Sequence, residues 1–365
     1  MNVAILCFDY SRNGGSEKVA GNLYQAISVK YPTHLISLFS ENSMNCNEEG
    51  NVSPHIISKN KGVFIISFLT VLCNLSKYCK GNKIDVIISV GINCSLYACL
   101  LKLFVNARVI ICEHSNIANI MYNSWRQHIK RRFAVVYADK LITLTEADAE
   151  TYKSKYPKRK GKIRTIYNWI GDNWLNQITK YDCNSKKILT VCRLDRVKGL
   201  ERGVDVVSRI FKKNSDWVWH IYGTGDEEYK KELIEKATKL GIAKNVVFCG
   251  QATENELMTK YPLYSIYLCT SHFEGMPMSL LEAKANKIPI VSFNCQTGPA
   301  EIIENNINGL LVKQGDVNEL YKLLKELIED KNLRQSLSDK SYSNIYKFKK
   351  ETIVKQWVSL IDNND

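Results

Sequence analysis

Short apolar runs alternate with longer segments of helical periodicity along this chain of 365 residues, and the whole alternation occurs twice. The first series begins with NVAILCF at residues 2–8, and the second begins with KILTVCRL at residues 187–194. Strands that alternate with helices form parallel sheets through right-handed crossovers. A chain of this length also exceeds the usual size of one core. The sequence therefore predicts an α/β protein with two Rossmann-like parallel-sheet domains.

The domain boundaries follow from a stretch without clear periodicity at residues 171–186, which we interpret as a linker. We expect an N-terminal domain over residues 1–170 and a C-terminal domain over residues 187–348. The last segment, residues 349–365, is amphipathic near its middle. It is expected to form a helix that crosses back and packs on the first domain.

Positive charge is concentrated in the first half of the chain. The formal net charge is +13, and residues 1–180 hold 23 Lys and Arg against 12 Asp and Glu. A helix is predicted at residues 121–138, and residues 153–162 are expected to form a basic loop. The helix carries the cationic residues Arg126, Lys130, Arg131 and Arg132. We expect these side chains to face an anionic membrane or a lipid-diphosphate acceptor, with a merely solvated helix face as the alternative.

Cysteine usage and the N-terminus indicate a cytoplasmic protein. The twelve cysteines show no C-x-x-C pair or metal-ligand spacing and lie mostly in apolar segments, as buried thiols do in a reducing compartment. The chain opens on a strand pattern with no basic n-region or cleavage site, so we expect no signal peptide. Its longest apolar stretch, residues 63–75, is too short for a bilayer span. The basic surface could also associate with the inner face of the plasma membrane.

Two carboxylates stand eight positions apart in the stretch SHFEGMPMSLLEA, residues 271–283. The stretch follows an apolar run and contains Pro277, so it predicts a buried strand, a tight turn and a helix opened by that proline. Glu274 would then lie in the loop at the carboxyl end of the strand, and Glu282 a little over one turn into the helix. The alternative is a loop glutamate and a solvated helix glutamate.

The start of that predicted helix adds backbone donors. The N–H groups of Met278 and Ser279 would point into the crevice outside the strand ends, where open α/β sheets bind ligands. Helix N-termini attract phosphate, and carboxylates hold hydroxyl groups. Together these groups indicate a nucleotide sugar as the ligand.

Two features mark the corresponding edge of the first domain. Gly14 and Gly15 lie at a strand-to-helix turn, where glycine lets backbone approach a ligand phosphate. His114 follows another predicted strand and could donate to a sugar hydroxyl or to developing charge. A tight turn without ligand and a structural histidine are the alternatives. The dinucleotide fingerprint G-x-G-x-x-G is absent, which disfavours a nicotinamide dehydrogenase.

The second domain adds two cations and a glycine turn. Arg193 and Lys198 flank a strand-to-helix loop, and such a pair suits a diphosphate: arginine as a fork and lysine as a point charge. These cations could neutralise a departing nucleoside diphosphate, and no D-x-D motif suited to a catalytic divalent ion stands out. Gly223 and Gly225 form another tight turn at the same edge.

In this order the motifs resemble those of family 4 glycosyltransferases, which have the glycosyltransferase B architecture of two domains facing each other across a cleft. The resemblance covers most of the chain, through GGSEKV, EHS, RLDRVKG, GTG, FEGMPMSLLEA and GPAEII. Two glutamates separated by seven residues are the family's signature. Pro277 departs from the family, because many members have glycine there and one backbone donor is missing.

The resemblance implies roles by position. Catalysis falls to Glu274 and His114. Binding of the donor diphosphate falls to Arg193, Lys198, Gly14, Gly15, Met278 and Ser279. Binding of the donor sugar falls to Glu274, Gly275 and Met276. Binding of the nucleoside falls to Glu282, Gly223 and Gly225. No metal ligand and no cofactor beyond the nucleotide-sugar co-substrate is expected.

The resemblance also implies the reaction. Such enzymes retain anomeric configuration, need no metal and, in bacteria, build capsule, exopolysaccharide or lipopolysaccharide on polyprenyl diphosphates. We therefore expect transfer of a hexose or N-acetylhexosamine from a nucleotide sugar, UDP-linked, to such an acceptor. The alternatives are a GDP-mannose-dependent transferase, a nucleotide-sugar epimerase on a similar fold, and a non-catalytic partner subunit. A nucleic-acid-binding module would not explain the near-neutral second domain.

Overall fold

A computed structural model describes residues 1–11, 14–40, 53–58, 64–117, 124–177 and 180–363, with only the backbone described for residues 64–66. The chain divides into two compact units. Unit 1 contains residues 1–168 and 353–365, and unit 2 contains residues 169–352. The division falls close to residue 170, where the sequence predicts the end of the N-terminal domain.

Unit 1 is built on a parallel sheet of seven strands in the order β3-β2-β1-β4-β5-β6-β7. The strands are β1 (Asn2–Asp9), β2 (Thr33–Phe39), β3 (His55–Ser58), β4 (Ile84–Val90), β5 (Arg108–Glu113), β6 (Lys140–Thr143) and β7 (Ile163–Thr165). The central strands are almost continuously apolar and buried, as expected of a parallel sheet covered on both faces. Chain order reverses between β1 and β4, so ligand-binding groups are expected at the strand ends there.

The helices of unit 1 are α1 (Gly15–Ile27), α2 (Phe64–Gly81), α3 (Ser95–Leu101), α4 (Trp125–Tyr137) and α5 (Glu146–Lys155). Helix α4 begins after Ser124, whose hydroxyl accepts from the N–H of Gln127 at 3.4 Å. Residues 121–123 of the helix predicted there lie outside the described residues.

The prediction of a basic loop at residues 153–162 is wrong. This segment is the end of α5 followed by a 3-10 helix, Pro157–Lys162. Proline at the first position of that turn has its backbone φ already fixed for a helix and lacks only an N–H that would have no partner. The lysines therefore lie on regular structure.

Unit 2 is built on a second parallel sheet, of six strands in the order β10-β9-β8-β11-β12-β13. Its strands are β8 (Lys187–Val191), β9 (Val218–Tyr222), β10 (Val246–Gly250), β11 (Ile266–Cys269), β12 (Ile290–Asn294) and β13 (Gly309–Lys313). Chain order reverses between β8 and β11, which pair in parallel through Ile188 and Ile266. This reversal defines the point where the loops after β8 and β11 diverge and a ligand can enter.

The helices of unit 2 are α6 (Asp172–Leu175), α7 (Leu200–Phe211), α8 (Glu227–Lys239), α9 (Glu254–Lys260), α10 (Met278–Ala285), α11 (Pro299–Ile302), α12 (Val317–Glu329) and α13 (Lys331–Asp339). Helix α6 lies in the segment predicted as a linker. Its Trp174 is buried, and the indole N–H donates to Glu254 at 2.9 Å. Helix α6 is therefore packed against unit 2 through Trp174.

The last helix, α14 (Lys350–Asp362), returns to unit 1 as the sequence predicts. Arg108 on β5 donates from its two terminal nitrogens to the backbone oxygens of Ile361 and Leu360, both at 2.9 Å. Asp362 accepts from Lys30 and from the Tyr31 hydroxyl, each at 2.7 Å. The Arg108 guanidinium thus satisfies carbonyls that the end of α14 leaves without intrahelical partners, while Lys30 and Tyr31 bind the Asp362 carboxylate.

The sequence also predicts buried thiols and no segment long enough to span a bilayer. The described cysteines are free thiols, and most of them are buried. Within the described ranges, no helix combines the length and the apolar character needed to cross a bilayer.

Candidate active site

The strongest candidate site in unit 2 lies at the carboxyl ends of β8 and β11. Strand β11 is fully buried, and the loop of residues 270–277 carries the chain from its end to α10. Thr270 and Ser271, the first residues of this loop, are buried. Glu274 therefore sits on a loop that two parallel strands and a helix hold in place.

Glu274 and Lys198 meet directly. The Lys198 ammonium donates to the two carboxylate oxygens of Glu274 at 2.8 and 2.9 Å, and the Ser271 hydroxyl donates to Oε1 at 2.6 Å. The side chains are 23% and 10% exposed. Burial opposes the charge on Lys198, but the Glu274 carboxylate outweighs it, so the pKa of the ammonium lies above its ordinary value. The site thus holds a cation and an anion next to each other, both reachable from solvent.

Backbone contacts fix the loops around this pair. Thr270 donates from its hydroxyl to the Lys198 carbonyl at 2.9 Å, and His272 donates from its N–H to the Val197 carbonyl at 2.7 Å. Gly298 has a φ of +96°, and a Cβ there would come within 2.8 Å of the Gly275 carbonyl oxygen. The loop after β12 can therefore support residues 274–277 only because it carries glycine.

Arg193 lies on the same sheet edge but is far more open. Its side chain is 67% exposed and pairs with Asp195 at 2.6 Å. Asp195 also accepts from the N–H of Val197 at 3.0 Å, which starts the 3-10 turn Arg196–Lys198. The guanidinium is thus held beside the loop that carries Lys198, with most of its surface in water.

Gly223 and Gly225 lie against the backbone that carries Arg193. A Cβ at Gly223 would meet the Cys192 carbonyl oxygen at 1.8 Å, and one at Gly225 would meet the Leu194 carbonyl oxygen at 2.2 Å. The Leu194 N–H donates to the Thr224 carbonyl at 3.0 Å. Close approach of two backbone segments therefore accounts for both glycines, and their role in nucleoside binding stays a prediction.

Helix α10 begins at Met278, with Pro277 as its N-cap. Met278 and Ser279 occupy the first two positions, whose N–H groups have no acceptor within a helix. Met276, just before, is buried. The structure therefore places the predicted phosphate donors directly after the loop that carries Glu274.

Glu282 is buried on α10. The hydroxyl of Tyr261 donates to Glu282 Oε2 at 2.9 Å, and the Tyr261 ring lies edge-on to Trp174 with centroids 5.3 Å apart. Burial and then the Glu282 charge hold the pKa of Tyr261 well above its ordinary value, so it remains a hydrogen-bond donor. Sequence reasoning missed Tyr261, because its position 21 residues before Glu282 gives no local signal.

In unit 1, Gly14 is the N-cap of α1 and Gly15 its first residue, so this helix starts at the end of β1. Among the described residues, none outside the immediate chain neighbours lies within 4 Å of a Cβ placed on Gly15. The two residues before Gly14 lie outside the described residues. A Cβ placed on Gly14 would instead meet the carboxylate of Glu17, the end of a flexible side chain.

His114 follows directly after β5, at the same edge of the sheet as Gly14. Its Nε2 is buried and has no hydrogen-bond partner among the described residues. Burial lowers the pKa of His114 to about 4, although the neighbouring Glu113 charge opposes the shift. The imidazole is therefore neutral at pH 7 and retains one free polar atom.

The prediction that Arg131 faces an acceptor or a membrane is wrong. Arg131 and Glu113 form a buried ion pair at 2.9 Å, with 3% and 0% of their side chains exposed. Arg131, Ala134 and Val135 form the buried stripe of α4, since positions three and four apart share a helix face.

The other three cations of α4 differ among themselves. Arg126 and Arg132 are exposed. Lys130 is half-buried, and its ammonium donates to Asn93 at 2.9 Å. Burial lowers the pKa of Lys130 below its ordinary value. Two of the four predicted cations thus remain available to a surface partner.

No group of three or more His, Cys, Asp or Glu side chains within the described ranges is arranged to hold a metal ion. The charged groups of the unit 2 site are instead Lys198, Arg193 and the two glutamates. This donor set can bind a diphosphate and hydroxyl groups.

Two family models match the chain: "Glycosyltransferase Family 4" over residues 13–173 and "Glycosyl transferases group 1" over residues 175–344. The O-antigen biosynthesis glycosyltransferase WbnH of Escherichia coli is 30% identical over 291 residues, which cover 75% of this chain and 78% of that protein. The chain belongs to the family 4 glycosyltransferases.

Other comparisons agree. A Campylobacter jejuni enzyme named as an N-acetyl-D-galactosaminyltransferase acting on a PP-undecaprenol-linked saccharide is 27% identical over 290 residues, covering 79% of this chain and 77% of that protein. The structure of Anabaena Alr3699/HepE in complex with UDP-glucose superposes with a TM-score of 0.83 at 16% identity, over 100% of each chain. This likeness shows the fold, and the chain has the glycosyltransferase B fold.

Helix α10 also contains a buried lysine, from which we predict a pH-dependent stability. Lys284 is 1% exposed, and its ammonium has no hydrogen-bond partner among the described residues. Burial lowers its pKa from 10.5 to about 8, with Glu304 opposing the shift and Lys347 adding to it. Because the folded pKa is depressed, the charged lysine destabilises the fold fully below pH 8, and the cost disappears as pH rises towards 10.5.

Lys284→Met should therefore raise the free energy of unfolding at pH 7 by up to about 3 kcal/mol, and the gain should shrink between pH 8 and pH 10. Urea denaturation of both proteins at pH 7 and at pH 10 measures this difference in the free energy of unfolding. Lys340→Met, at an exposed position, is the matched control. If Lys284→Met changes the free energy of unfolding equally at pH 7 and pH 10, or lowers it at pH 7, the lysine is not held charged and desolvated.

Proposed function

We propose that this protein is a retaining, metal-independent glycosyltransferase that moves a hexose or N-acetylhexosamine from a UDP-sugar to a lipid-diphosphate-linked saccharide during synthesis of a bacterial surface polysaccharide. The observation that carries the proposal is the contact between Lys198 and Glu274 at the point where the strand order of unit 2 reverses. It brings a phosphate-binding cation and a hydroxyl-binding carboxylate to one place.

Charge neutralisation supports a reaction without a metal. The leaving group is a nucleoside diphosphate, and Lys198, Arg193 and the start of α10 offer two cations and a helix N-terminus to it. Such donors stabilise negative charge as it develops on the leaving oxygen. No resident cofactor is needed for this chemistry.

The proposed reaction step needs no protein nucleophile. The bond from the sugar anomeric carbon to the phosphate oxygen breaks, and a new bond forms from the acceptor hydroxyl oxygen to the same face of that carbon. The departing phosphate oxygen takes the acceptor proton. Glu274 holds hydroxyls of the transferred sugar, while Glu282 holds the ribose with its carboxylate oriented by Tyr261. His114, neutral at pH 7, serves as a hydrogen-bond partner of the reacting sugar.

Similar proteins support the proposed donor and acceptor. The fold is shared with a protein solved with UDP-glucose, and one relative is named for a PP-undecaprenol-linked substrate. Another relative is named for O-antigen biosynthesis. These likenesses support a UDP-sugar and a lipid-linked saccharide for this chain.

A donor panel tests the reaction. We expect slow release of nucleoside diphosphate from one member of a set of UDP-hexoses, UDP-N-acetylhexosamines and GDP-mannose, unchanged by EDTA. Glu274→Ala should lower this rate by about 100-fold or more, because the carboxylate touches the reacting sugar. Its melting temperature should stay close to that of the parent chain.

Glu227→Ala is the matched control, since that glutamate is exposed and pairs with Lys230 at 3.3 Å on the same helix. Loss of activity with EDTA would contradict a metal-independent reaction. Full activity of Glu274→Ala would remove its assigned role, and turnover of GDP-mannose alone would replace the UDP assignment.

The exposed face of α4 supports association with a membrane surface. Trp125 is 68% exposed, and Ile129 and Tyr137 are more than half exposed. The Arg126 guanidinium lies 5.5 Å from the Trp125 ring. Leu103 and Phe104 are exposed at the end of α3, whose neighbour Lys102 donates to the Tyr137 carbonyl at 3.4 Å. Aromatic and basic side chains on one surface favour an anionic bilayer.

Sedimentation with phosphatidylglycerol vesicles measures this association. Binding should exceed that to phosphatidylcholine vesicles and fall as salt increases. Trp125→Ser combined with Arg126→Ser should reduce it several-fold, whereas Lys331→Ser, an exposed lysine of unit 2, should not. Equal vesicle binding by the parent chain, the double variant and Lys331→Ser would contradict a membrane role for α4. Absence of vesicle binding by the parent chain would contradict it as well.

A further inference from the structure

A buried carboxylate lies directly beneath the loop that carries His114. Glu113, the last residue of β5, accepts at Oε2 from Arg131 Nε and from the Tyr152 hydroxyl, each at 2.9 Å. At Oε1 it accepts from the N–H and the hydroxyl of Ser115, at 2.9 and 2.6 Å. One carboxylate thus connects β5, α4, α5 and the loop.

Arg131 holds the same loop from another direction. Its Nη2 donates to the Ser115 hydroxyl at 2.9 Å and to the Asn116 carbonyl at 3.4 Å. The fork of the guanidinium lets one side chain serve the carboxylate and the loop together. A lysine could reach one of these groups but could not reproduce the planar arrangement.

The next residue of the loop is also held from below. Asp148 on α5 accepts from the N–H of Ile117 at 3.1 Å. Burial and then the Glu113 charge raise the pKa of Asp148 to about 7, while Arg131 opposes the shift. Buried groups therefore hold residues 115–117, and His114 lies between Glu113 and the first of them.

Burying the ion pair between Glu113 and Arg131 costs desolvation free energy, so its retention calls for a further role. A buried ion pair must overcome the desolvation of both charges, and well-packed apolar residues often stabilise a fold as well or better. Here the pair also contacts Ser115 and Asn116 of the loop after β5, and Tyr152 of α5 donates to Glu113. The pair is therefore best placed to define where that loop, and the His114 ring, can lie.

We propose that Glu113 and Arg131, assisted by Tyr152, are positioning residues that hold His114 in place for sugar transfer. The inference rests on the proposed function for its catalytic consequence. The buried, unpartnered Nε2 of His114 is the atom whose position they would set.

Arg131→Lys keeps the charge but loses the fork. We expect its rate of nucleoside diphosphate release from the active donor to fall by about tenfold or more, with the donor KM changed less than about threefold. A merely structural defect would lower the fraction of folded protein and leave the rate per folded molecule intact. Active-site or folded-protein concentration is therefore determined in the same samples.

Tyr152→Phe is the milder second variant, because the buried ring remains and only the hydroxyl that donates to Glu113 is lost. Tyr156→Phe is its matched control, since Tyr156 stacks on Tyr152 with centroids 6.3 Å apart, whereas the Glu113 carboxylate accepts from Arg131, Tyr152 and Ser115. We expect a rate loss of a few-fold for Tyr152→Phe and none for Tyr156→Phe.

NMR titration of histidines labelled with ¹³C gives a readout independent of activity. His114 in the parent chain should stay neutral down to about pH 4, and His114→Gln assigns its signal. In Arg131→Lys the loop should admit water, and the His114 pKa should rise towards its ordinary value of about 6.5. Tyr152→Phe should shift it in the same direction and Tyr156→Phe should not.

The outcomes separate the two proposals. A slower rate per folded molecule together with a raised His114 pKa supports positioning. An unchanged rate or an unchanged titration in Arg131→Lys and Tyr152→Phe overturns it. If the parent chain turns over no donor, the proposed function fails, and the titration alone decides whether the pair holds His114.

Discussion

The ion pair between Lys198 and Glu274 is the interaction on which the unit 2 site depends. It exists because β8 and β11 are neighbours in the sheet although they are far apart in the chain. The reversal of strand order lets one loop bring the cation and the other the carboxylate, with Ser271 and Thr270 fixing their approach. Because both side chains remain partly exposed, a ligand can compete for either charge, which a fully buried pair would prevent.

Unit 1 uses buried charge differently. Its ion pair, between Glu113 and Arg131, is closed to solvent and acts on the loop after β5, and the residue that this loop presents is a neutral histidine. Unit 2 therefore contributes exposed charges suited to a leaving diphosphate, and unit 1 an uncharged polar atom and a basic, aromatic helix face.

The strands and several candidate site residues could be predicted from the sequence, because they depend on residues that are close together in the chain. Apolar runs of 4–8 residues predicted the strands, and residues that follow them, such as His114, Arg193 and Glu274, necessarily lie at a strand's carboxyl end. Contacts across the fold could not be found in this way: Tyr261 with Glu282 and Glu113 with Arg131. Helical spacing did contain a signal for Arg131, which shares a face with Ala134 and Val135, but its charge suggested exposure.

We propose that a bound nucleoside diphosphate takes over Lys198 from Glu274. Calorimetric titration of UDP into Glu274→Gln, Lys198→Gln and the parent chain tests this exchange. Removing the neighbouring negative charge in Glu274→Gln should leave UDP affinity equal to that of the parent chain or raise it by several-fold, while Lys198→Gln should weaken it by about tenfold or more. Equal weakening in both variants, or unchanged affinity in Lys198→Gln, would contradict the account.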